Sequence, residues 1–449
     1  MMKKLILMLC MLLLLCSCVD GATKIGLDRL NWSQSLPSGE GIKFSGTAPA
    51  VTTDKLYSDG SVLKFGDRTI SDMQTIYAQD YGVVPDDDTD DSAALQAALN
   101  AGFRKIIQLP EGEINVVNTT ITIAGDLEFS GTGRATTEIN MTGPLSKFLI
   151  TGNRVIIRDM FLNATDYTSL HGIYVNDDVH YWEIDNCWIK GFGKNANWDS
   201  PGAGIYISDS CYIGSISNSL IDTCFIGVYG DGISLNVLSL YNLRTNSNIQ
   251  DGIYFEAPYS HGIVLSDCSA EGNGRNGIVL SNVQQALVEG CYLELNAYSG
   301  LCVSGTDNNI TSGIVTISGN TFYENGASNN VPSLECYEVN RTLIMGNRFA
   351  GVHSAIGAIR LSESPLVGKN DQKVATLIEN RYDEITGDGA GVYVTNIDYA
   401  VIIDSRRQGG TTAHRPAVPT KYETYFDSTL GKLIVYNGYA WKNVDGTSL

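Results

Sequence analysis

The sequence predicts an all-β chain whose main body, from about Asp80 to Arg407, is a right-handed parallel β-helix. A short capping helix opens that body, and small β modules lie at both ends. Three observations predict this. A six-residue phrase with apolar first and sixth positions recurs every 22 to 33 residues. A second phrase, Gly followed by alternating apolar residues, keeps step with it. The composition is that of a turn-rich β protein, with 47 Gly, 23 Tyr and only 11 Pro in 449 residues.

Taken in order, residues 1–18 read as an export signal. Lys3 and Lys4 precede an apolar run, Leu5 to Leu15, of h-region length and too short to span a bilayer comfortably. The run ends in Leu15-Cys16-Ser17-Cys18, which resembles the lipobox of bacterial lipoproteins and makes Cys18 the expected lipidated residue. An ordinary signal peptide and a basic N-terminus with no export role are the alternatives. The expected address is therefore extracytoplasmic, at the cell surface, with membrane contact only through the lipid. No later apolar stretch reaches the ~18 residues of a spanning helix. Residues 19–79 form an N-terminal β and linker module, and residues 408–449 a C-terminal hairpin module. Without residues 1–17 the net charge moves from −19 to about −21, because Lys3 and Lys4 are lost. So acidic a chain does not bind nucleic acid through phosphates.

The first phrase appears as Ile157-Arg-Asp-Met-Phe-Leu162, Ile184-Asp-Asn-Cys-Trp-Ile189 and Ile216-Ser-Asn-Ser-Leu-Ile221, with weaker copies from Leu238 and Leu265. Copies from Val288, Ile317, Ile344 and Leu377 continue it. Nine starts spread over 220 residues give a mean step of about 27. The second phrase runs Gly172-Ile-Tyr-Val, Gly204-Ile-Tyr-Ile, Gly227-Val-Tyr, Gly252-Ile-Tyr-Phe, Gly277-Ile-Val-Leu and Gly300-Leu-Cys-Val. Alternation within each copy is the period of a strand with one buried face. Two strand signals per coil fit a solenoid whose coils stack at ~4.8 Å.

Seven cysteines remain beyond Cys18, an odd number without a CxxC pair, which argues against a disulfide framework and a zinc site. Cys187, Cys268 and Cys291 take the fourth position of the first phrase, where Ser219, Asn320, Asn347 and Asn380 stand in other coils. That position reads as an inward stack at a corner, so these cysteines are expected to be free and in the core.

Ahead of the coils, Asp90 is a plausible N-cap, Asp91 suits a first turn, and Leu95, Ala98 and Leu99 form one apolar stripe, with Gly102 able to end the helix. Such a helix can plug the open end of a solenoid. The segment Asp80-Tyr-Gly-Val-Val-Pro-Asp-Asp-Asp-Thr-Asp-Asp-Ser-Ala-Ala-Leu-Gln-Ala-Ala-Leu99 resembles the entry motif of pectate-lyase-like β-helix proteins. Ile107-Gln-Leu-Pro-Glu-Gly112 and Leu127-Glu-Phe-Ser-Gly-Thr-Gly133 resemble the two strands that follow it in that superfamily. The resemblance covers residues 80 to about 407. It implies the fold and leaves the chemistry open, since lyases, hydrolases, epimerases and phage tailspikes share it.

The flanks narrow the choice. Val51-Thr-Thr-Asp-Lys-Leu-Tyr57 with Val62-Leu-Lys-Phe-Gly66 resembles the short β segment ahead of the β-helix in phage tail proteins. Tyr425 to Trp441 resembles a terminal hairpin module of such proteins, which implies a homotrimer on a virion tail. That implication conflicts with the lipobox-like start, because virion proteins assemble in the cytoplasm.

The register turns the residue after each Gly inward, so Tyr174, Tyr206, Tyr229 and Tyr254 point outward on four successive coils. Two positions on lie Asn176, Ser208, Asp231 and Glu256, with Asp177 and Asp209 at the turn beyond, while His171 and Asp251 precede a Gly. An aromatic ladder beside acidic side chains suits a polysaccharide: sugar rings stack on the aromatic faces and carboxylates accept their hydroxyls. A tyrosine stack that only stabilises the sheet is the alternative. The expected substrate contacts are His171, Tyr174, Asn176, Asp177, Tyr206, Tyr229, Asp251, Tyr254 and His261.

Glycoside hydrolysis needs a proton donor and a second carboxylate. Asp231 and Glu256 on adjacent coils match the ~5 Å of a retaining pair, and Asp209 and Glu256 two coils apart match the ~9 Å of an inverting pair. The catalytic set is thus Asp209, Asp231 and Glu256, with no metal or cofactor. A lyase would bring Ca²⁺ and a basic residue, for which Arg244 and Arg275 are the nearest candidates. The hydrolase signature of polygalacturonases is absent apart from a partial echo in Ser260-His261-Gly262, and the epimerase signature around Asp-Pro-His is missing. The leading expectation is a tailspike-like protein that binds and degrades a bacterial surface glycan. A non-catalytic receptor-binding or adhesion protein and an outer-membrane lipoprotein that trims polysaccharides are the alternatives.

Overall fold

In the computed structural model the described residues are 75–164, 169–197, 201–305, 312–327, 329–352, 357–362 and 374–383, with further strand segments between 56 and 69 and between 392 and 443. Cys18, the export signal and the linker up to residue 55 lie outside them.

The main body is a parallel β-helix of three parallel sheets, each coil giving one strand to each. The sheet that carries the tyrosines has eleven strands, from Thr120–Ile123 to Val392–Thr395. A second sheet has thirteen, from Thr75–Tyr77 to Tyr399–Ile403, and a third has eleven, from Gly112–Val117 to Arg381–Asp383. Pairing begins earlier than expected, because Thr75–Tyr77 already pairs in parallel with Ile106–Gln108. Alternation decides the faces: Ile173, Ile205, Val228, Ile253, Ile278 and Leu301 form one inward column, all fully buried. Phe322 and Phe349 stack flat inside, centroids 4.6 Å apart.

The first phrase is the corner between the second and third sheets. Its third position takes a left-handed backbone in every coil: Asp159, Asn186, Asn218, Asn242, Asp267 and Glu379 at φ 48–60°, and Gly290, Gly319 and Gly346 at 64–65°. Asp, Asn and Gly tolerate that region best. The copy expected from Leu238 starts two residues later, because Ile216 pairs with Leu240 and Asn242 makes the corner. The fourth position points inward. Cys187, Cys268 and Cys291 are buried there as free thiols, as are Cys211, Cys224 and Cys336 elsewhere in the core. Above them, Asn320 donates through Nδ2 to Asn347 Oδ1 at 2.9 Å, and Asn347 likewise to Asn380.

A second asparagine ladder, not anticipated, lines the corner before the tyrosine sheet. Asn248, Asn273, Asn296 and Asn325 hand one Nδ2–H to the next Oδ1 at 2.8–2.9 Å. Both ladders satisfy corner amides and carbonyls that would otherwise be buried without partners.

The capping helix spans Ser92–Asn100 and buries Leu95, Ala98 and Leu99 in the core, as the stripe predicts. Asp91, not Asp90, holds the N-cap position and makes no side-chain cap, whereas Asp90 Oδ1 accepts the first amide of the helix, that of Ser92. Asp91 accepts from the amides of Val84 and Asn115, and Asp90 from those of Ser92 and Val117, so both tie the helix to the first coil. Gly102 serves close approach: a Cβ there would lie 2.3 Å from Ile107 Cδ1.

Ahead of the coils and in a unit of their own, Leu56–Asp59, Val62–Phe65 and Arg68–Thr69 make a small antiparallel sheet. Near the other end, Thr424–Asp427, Lys432–Tyr436 and Trp441–Asn443 form an antiparallel meander, with Gln408–Gly410 added in parallel.

Candidate functional site

Tyr174, Tyr206, Tyr229 and Tyr254 pair in strict register along the outer face of their sheet. Ring centroids of successive members lie 4.7, 5.3 and 5.4 Å apart, stacked, edge-on and tilted in turn. The glycines two residues earlier make this spacing possible. A Cβ on Gly172, Gly204, Gly227 or Gly252 would come within 2.3–2.9 Å of the carbonyl oxygen of the glycine on the next coil.

The ladder is less open than its register implies. Tyr229 is 7% exposed, packed into an outer apolar cluster with Ala203, Phe225 and Ile226 against which Tyr206 and Tyr254 also rest. Burial, followed by the nearby carboxylates, raises the pKa of the Tyr206, Tyr229 and Tyr254 hydroxyls, so all three remain donors.

Asp231 and Glu256 are paired residues of adjacent strands. The Tyr206 hydroxyl reaches Asp231 Oδ2 at 3.4 Å, and the Tyr254 hydroxyl donates to Glu256 Oε2 at 3.1 Å. Asp231 is exposed and Glu256 half-buried. Adjacent strands are ~4.8 Å apart, close to the ~5–5.5 Å that separates the two carboxyls of a retaining glycosidase. On the coils before them, Tyr174 contacts Ser208 Oγ at 3.4 Å, and Ser208 donates to the exposed Asp177. Asn176 sits half-buried at the head of the same column.

Asp209 is held by the backbone. Its Oδ1 accepts from the amides of Ser210 at 2.8 Å and Ser234 at 3.0 Å, which fastens two successive turns.

At the other edge two expected contacts are interior groups. Asp251 is fully buried: its Oδ1 accepts the amide and side-chain Nδ2 of Asn276, both at 2.9 Å, and pairs with Arg275 Nε at 3.2 Å, while Oδ2 has no partner. Burial raises its carboxyl and Arg275 opposes the rise. The Arg275 guanidinium also lies 5.7 Å from the Tyr254 ring, a role that its place in a loop concealed. His171 is 6% exposed, its ring 4.8 Å from Tyr206 and 5.4 Å from Tyr174. Burial, then the Lys147 charge, lowers its pKa to about 3, so this imidazole is neutral.

His261 is exposed but belongs to the start of the second sheet, where its amide donates to Asn236 Oδ1 at 2.7 Å. The neighbouring Ser260 is buried and accepts from the Leu235 amide at 2.7 Å, so this trio is a turn. Around His261 the corner between the tyrosine sheet and the second sheet exposes Tyr181, Ile213, Ile233, Val237 and Tyr259, none of which alternation singles out. A shallow groove of about 570 Å³ lies elsewhere, over Gly290, Gly319 and Gly346. Among the described residues no three His, Cys, Asp or Glu side chains come together as a metal site.

The family model for the right handed beta helix region matches residues 171–333. Among curated proteins, the pre-neck appendage protein of Bacillus phage B103 is 22% identical over 334 residues, which take in 71% of this chain and 36% of that protein's length. Among solved structures, the Dettilon tailspike protein superposes with a TM-score of 0.54 at 16% identity, over 74% of this chain and 68% of that one. The A-module of a mannuronan C-5 epimerase from Azotobacter vinelandii gives 0.52 at 17% identity, over 73% of this chain and 100% of the module. At these identities the likeness is one of fold.

Proposed function

We propose that this chain binds a bacterial surface polysaccharide on its tyrosine sheet and cleaves it with Asp231 and Glu256 as the paired carboxylates. One observation carries the reading: the two acids stand on adjacent strands, and each accepts from the hydroxyl of a ladder tyrosine. The half-buried rings of Tyr174, Tyr206 and Tyr254 offer apolar edges to the sugar carbons, and the carboxylates accept hydroxyls or exchange a proton with the bridging oxygen. With Asp209 fastened in a turn, a retaining course through Asp231 and Glu256 fits better than an inverting one.

The likeness to a tailspike and to a pre-neck appendage protein supports a place on a virion tail, and the resemblance of the terminal hairpin module implies a homotrimer there. The lipobox-like start supports instead a lipid anchor at Cys18, and palmitate labelling of the wild type and of Cys18→Ala separates the two. For the activity, purified protein is incubated with capsular and O-antigen glycans and the products are read as new reducing ends or unsaturated sugars. Asp231→Asn and Glu256→Gln should abolish release and spare binding, while Tyr206→Ala should weaken binding. Binding retained across the panel with no product from the wild type would leave a receptor-binding protein and remove the catalytic claim.

A further inference from the structure

The corner that leads from the tyrosine sheet into the second sheet repeats one backbone conformation on successive coils. Arg104, Asp126, Arg154, Tyr181, Ile213 and Val237 all hold φ between 52° and 61°, and Gly262 follows at 70°. The first three are what an exposed left-handed position ordinarily carries, and Arg154 pairs with Asp126 there. Tyr181, Ile213 and Val237 are the opposite. They are 55, 44 and 58% exposed, and two are β-branched, the residue type for which this conformation is most strained. The chain thus accepts an exposed apolar surface and a backbone cost at the same three positions. The fold demands neither, since neighbouring coils turn the same corner with charged residues or glycine.

The apolar row has a second rank. Ile233 and Tyr259, 58 and 59% exposed, lie on consecutive coils, where the Tyr259 amide donates to the Ile233 carbonyl at 2.9 Å. These residues follow directly on the carboxylates: Ile233 is two positions after Asp231, and Tyr259 three after Glu256. Ser234 joins the two regions. Its amide donates to Asp209, and its hydroxyl lies 3.5 Å from that of Tyr212, the neighbour of Ile213. The sequence positions and these contacts set the patch beside the face that the proposed function uses.

We infer that this corner is a subsite of that face for a sugar unit bearing methyl groups, a 6-deoxy sugar or an O- or N-acetylated one. The inference rests on the glycan-binding reading above. Three of the five side chains are aliphatic, and aliphatic side chains give a flat hydroxylated ring little beyond desolvation. A methyl group among Ile213, Ile233 and Val237 buries apolar area on both partners. One methyl in an enclosed apolar pocket discriminates by roughly 10-fold or more, and this open corner should reach the low end of that range.

The test uses Ile213→Asn with Val237→Asn in the full chain. Asn already occupies this conformation at Asn186 and Asn218, so the double variant should unfold at the same temperature as the wild type or higher. The probe is an array in which deoxy- and acetyl-sugar oligosaccharides stand beside their hydroxylated or deacetylated counterparts. The wild type should favour the methylated member of a pair by about 10-fold, and the double variant should bind both alike. Tyr206→Ala should weaken both members and keep their ratio. Binding without a methyl preference, or a preference that survives the double variant, overturns this subsite and leaves the proposed function standing. A wild type that retains no glycan overturns both. A change in oligomeric mass with glycan binding unaltered reassigns the corner to contact between copies.

Discussion

The Tyr254 hydroxyl donates to Glu256 Oε2 at 3.1 Å, two residues further along the same strand, so the ladder both lines the face and orients one of its acids. Tyr254→Phe keeps the ring beside Tyr229 and Arg275 and removes that donor. On a glycan that the wild type cleaves, turnover should drop about 10-fold, the equivalent of a hydrogen bond of about 1.4 kcal/mol to a carboxylate, with affinity unchanged. An unchanged rate would show that Glu256 needs no such support.

His171 predicts a pH dependence of stability. Its folded pKa of about 3 lies below the 6.5 of an unfolded histidine, so between those values the unfolded chain binds more protons. Its contribution is complete above pH 6.5 and is lost as pH falls toward 3. His171→Phe removes the effect and keeps a ring against Tyr206. From pH 7 to pH 5 the urea-unfolding free energy of the wild type should fall by about 2 kcal/mol more than that of the variant. Parallel decreases would mean that His171 takes up its proton in the fold.

Arg275→Met leaves the Asp251 carboxylate buried without its ionic partner and should cost about 3–5 kcal/mol. Adding Asp251→Asn removes the stranded charge and should restore more than half of the loss. Additive effects of the two substitutions, measured in a double-mutant cycle by chemical denaturation, would contradict the pairing.

Asn296 accepts the Asn273 amide and Nδ2 and donates to Ala270 O and Asn325 Oδ1. Asn296→Ala leaves the Asn273 amide without this acceptor in the dry interior and strips one bond each from Asn273 Nδ2, Ala270 O and Asn325 Oδ1. Of these, Asn273 Nδ2 keeps Thr245 O and Asn325 Oδ1 keeps the residue-296 amide, so the substitution should cost about 2–3 kcal/mol. Because coils contact only their neighbours, amide exchange should quicken most in the coils around residues 273 and 325 and least around residue 157. Uniform acceleration would point to a globally coupled core.

What was legible in the sequence is what alternation and glycine encode. Gly204-Ile-Tyr sets the face of its strand, and a one-residue slip would turn Tyr206 into the core. A two-residue slip changes no face, which is why Leu238 and Leu240 look alike until the left-handed Asn242 decides between them. The second asparagine ladder had a signal in the chain, because Asn248, Asn273 and Asn296 each stand four residues before a Gly of the repeat. Asp209, Asp251 and His171 were illegible for one shared reason. Each is correctly placed along the chain, yet a turn or a neighbouring loop engages or covers it, and periodicity within a strand carries no information about what lies over the sheet.

The sealed thiols bear on timing. Burial pushes Cys187, Cys211 and Cys224 to about pKa 12, so the finished molecule offers almost no thiolate to an oxidant at these sites. A chain still threading its coils has no such protection, and every cysteine can be captured in a wrong bridge. Passage through an oxidising compartment is thus a race between coil closure and disulfide formation, and a chain that wins it keeps these three thiols protonated and out of reach.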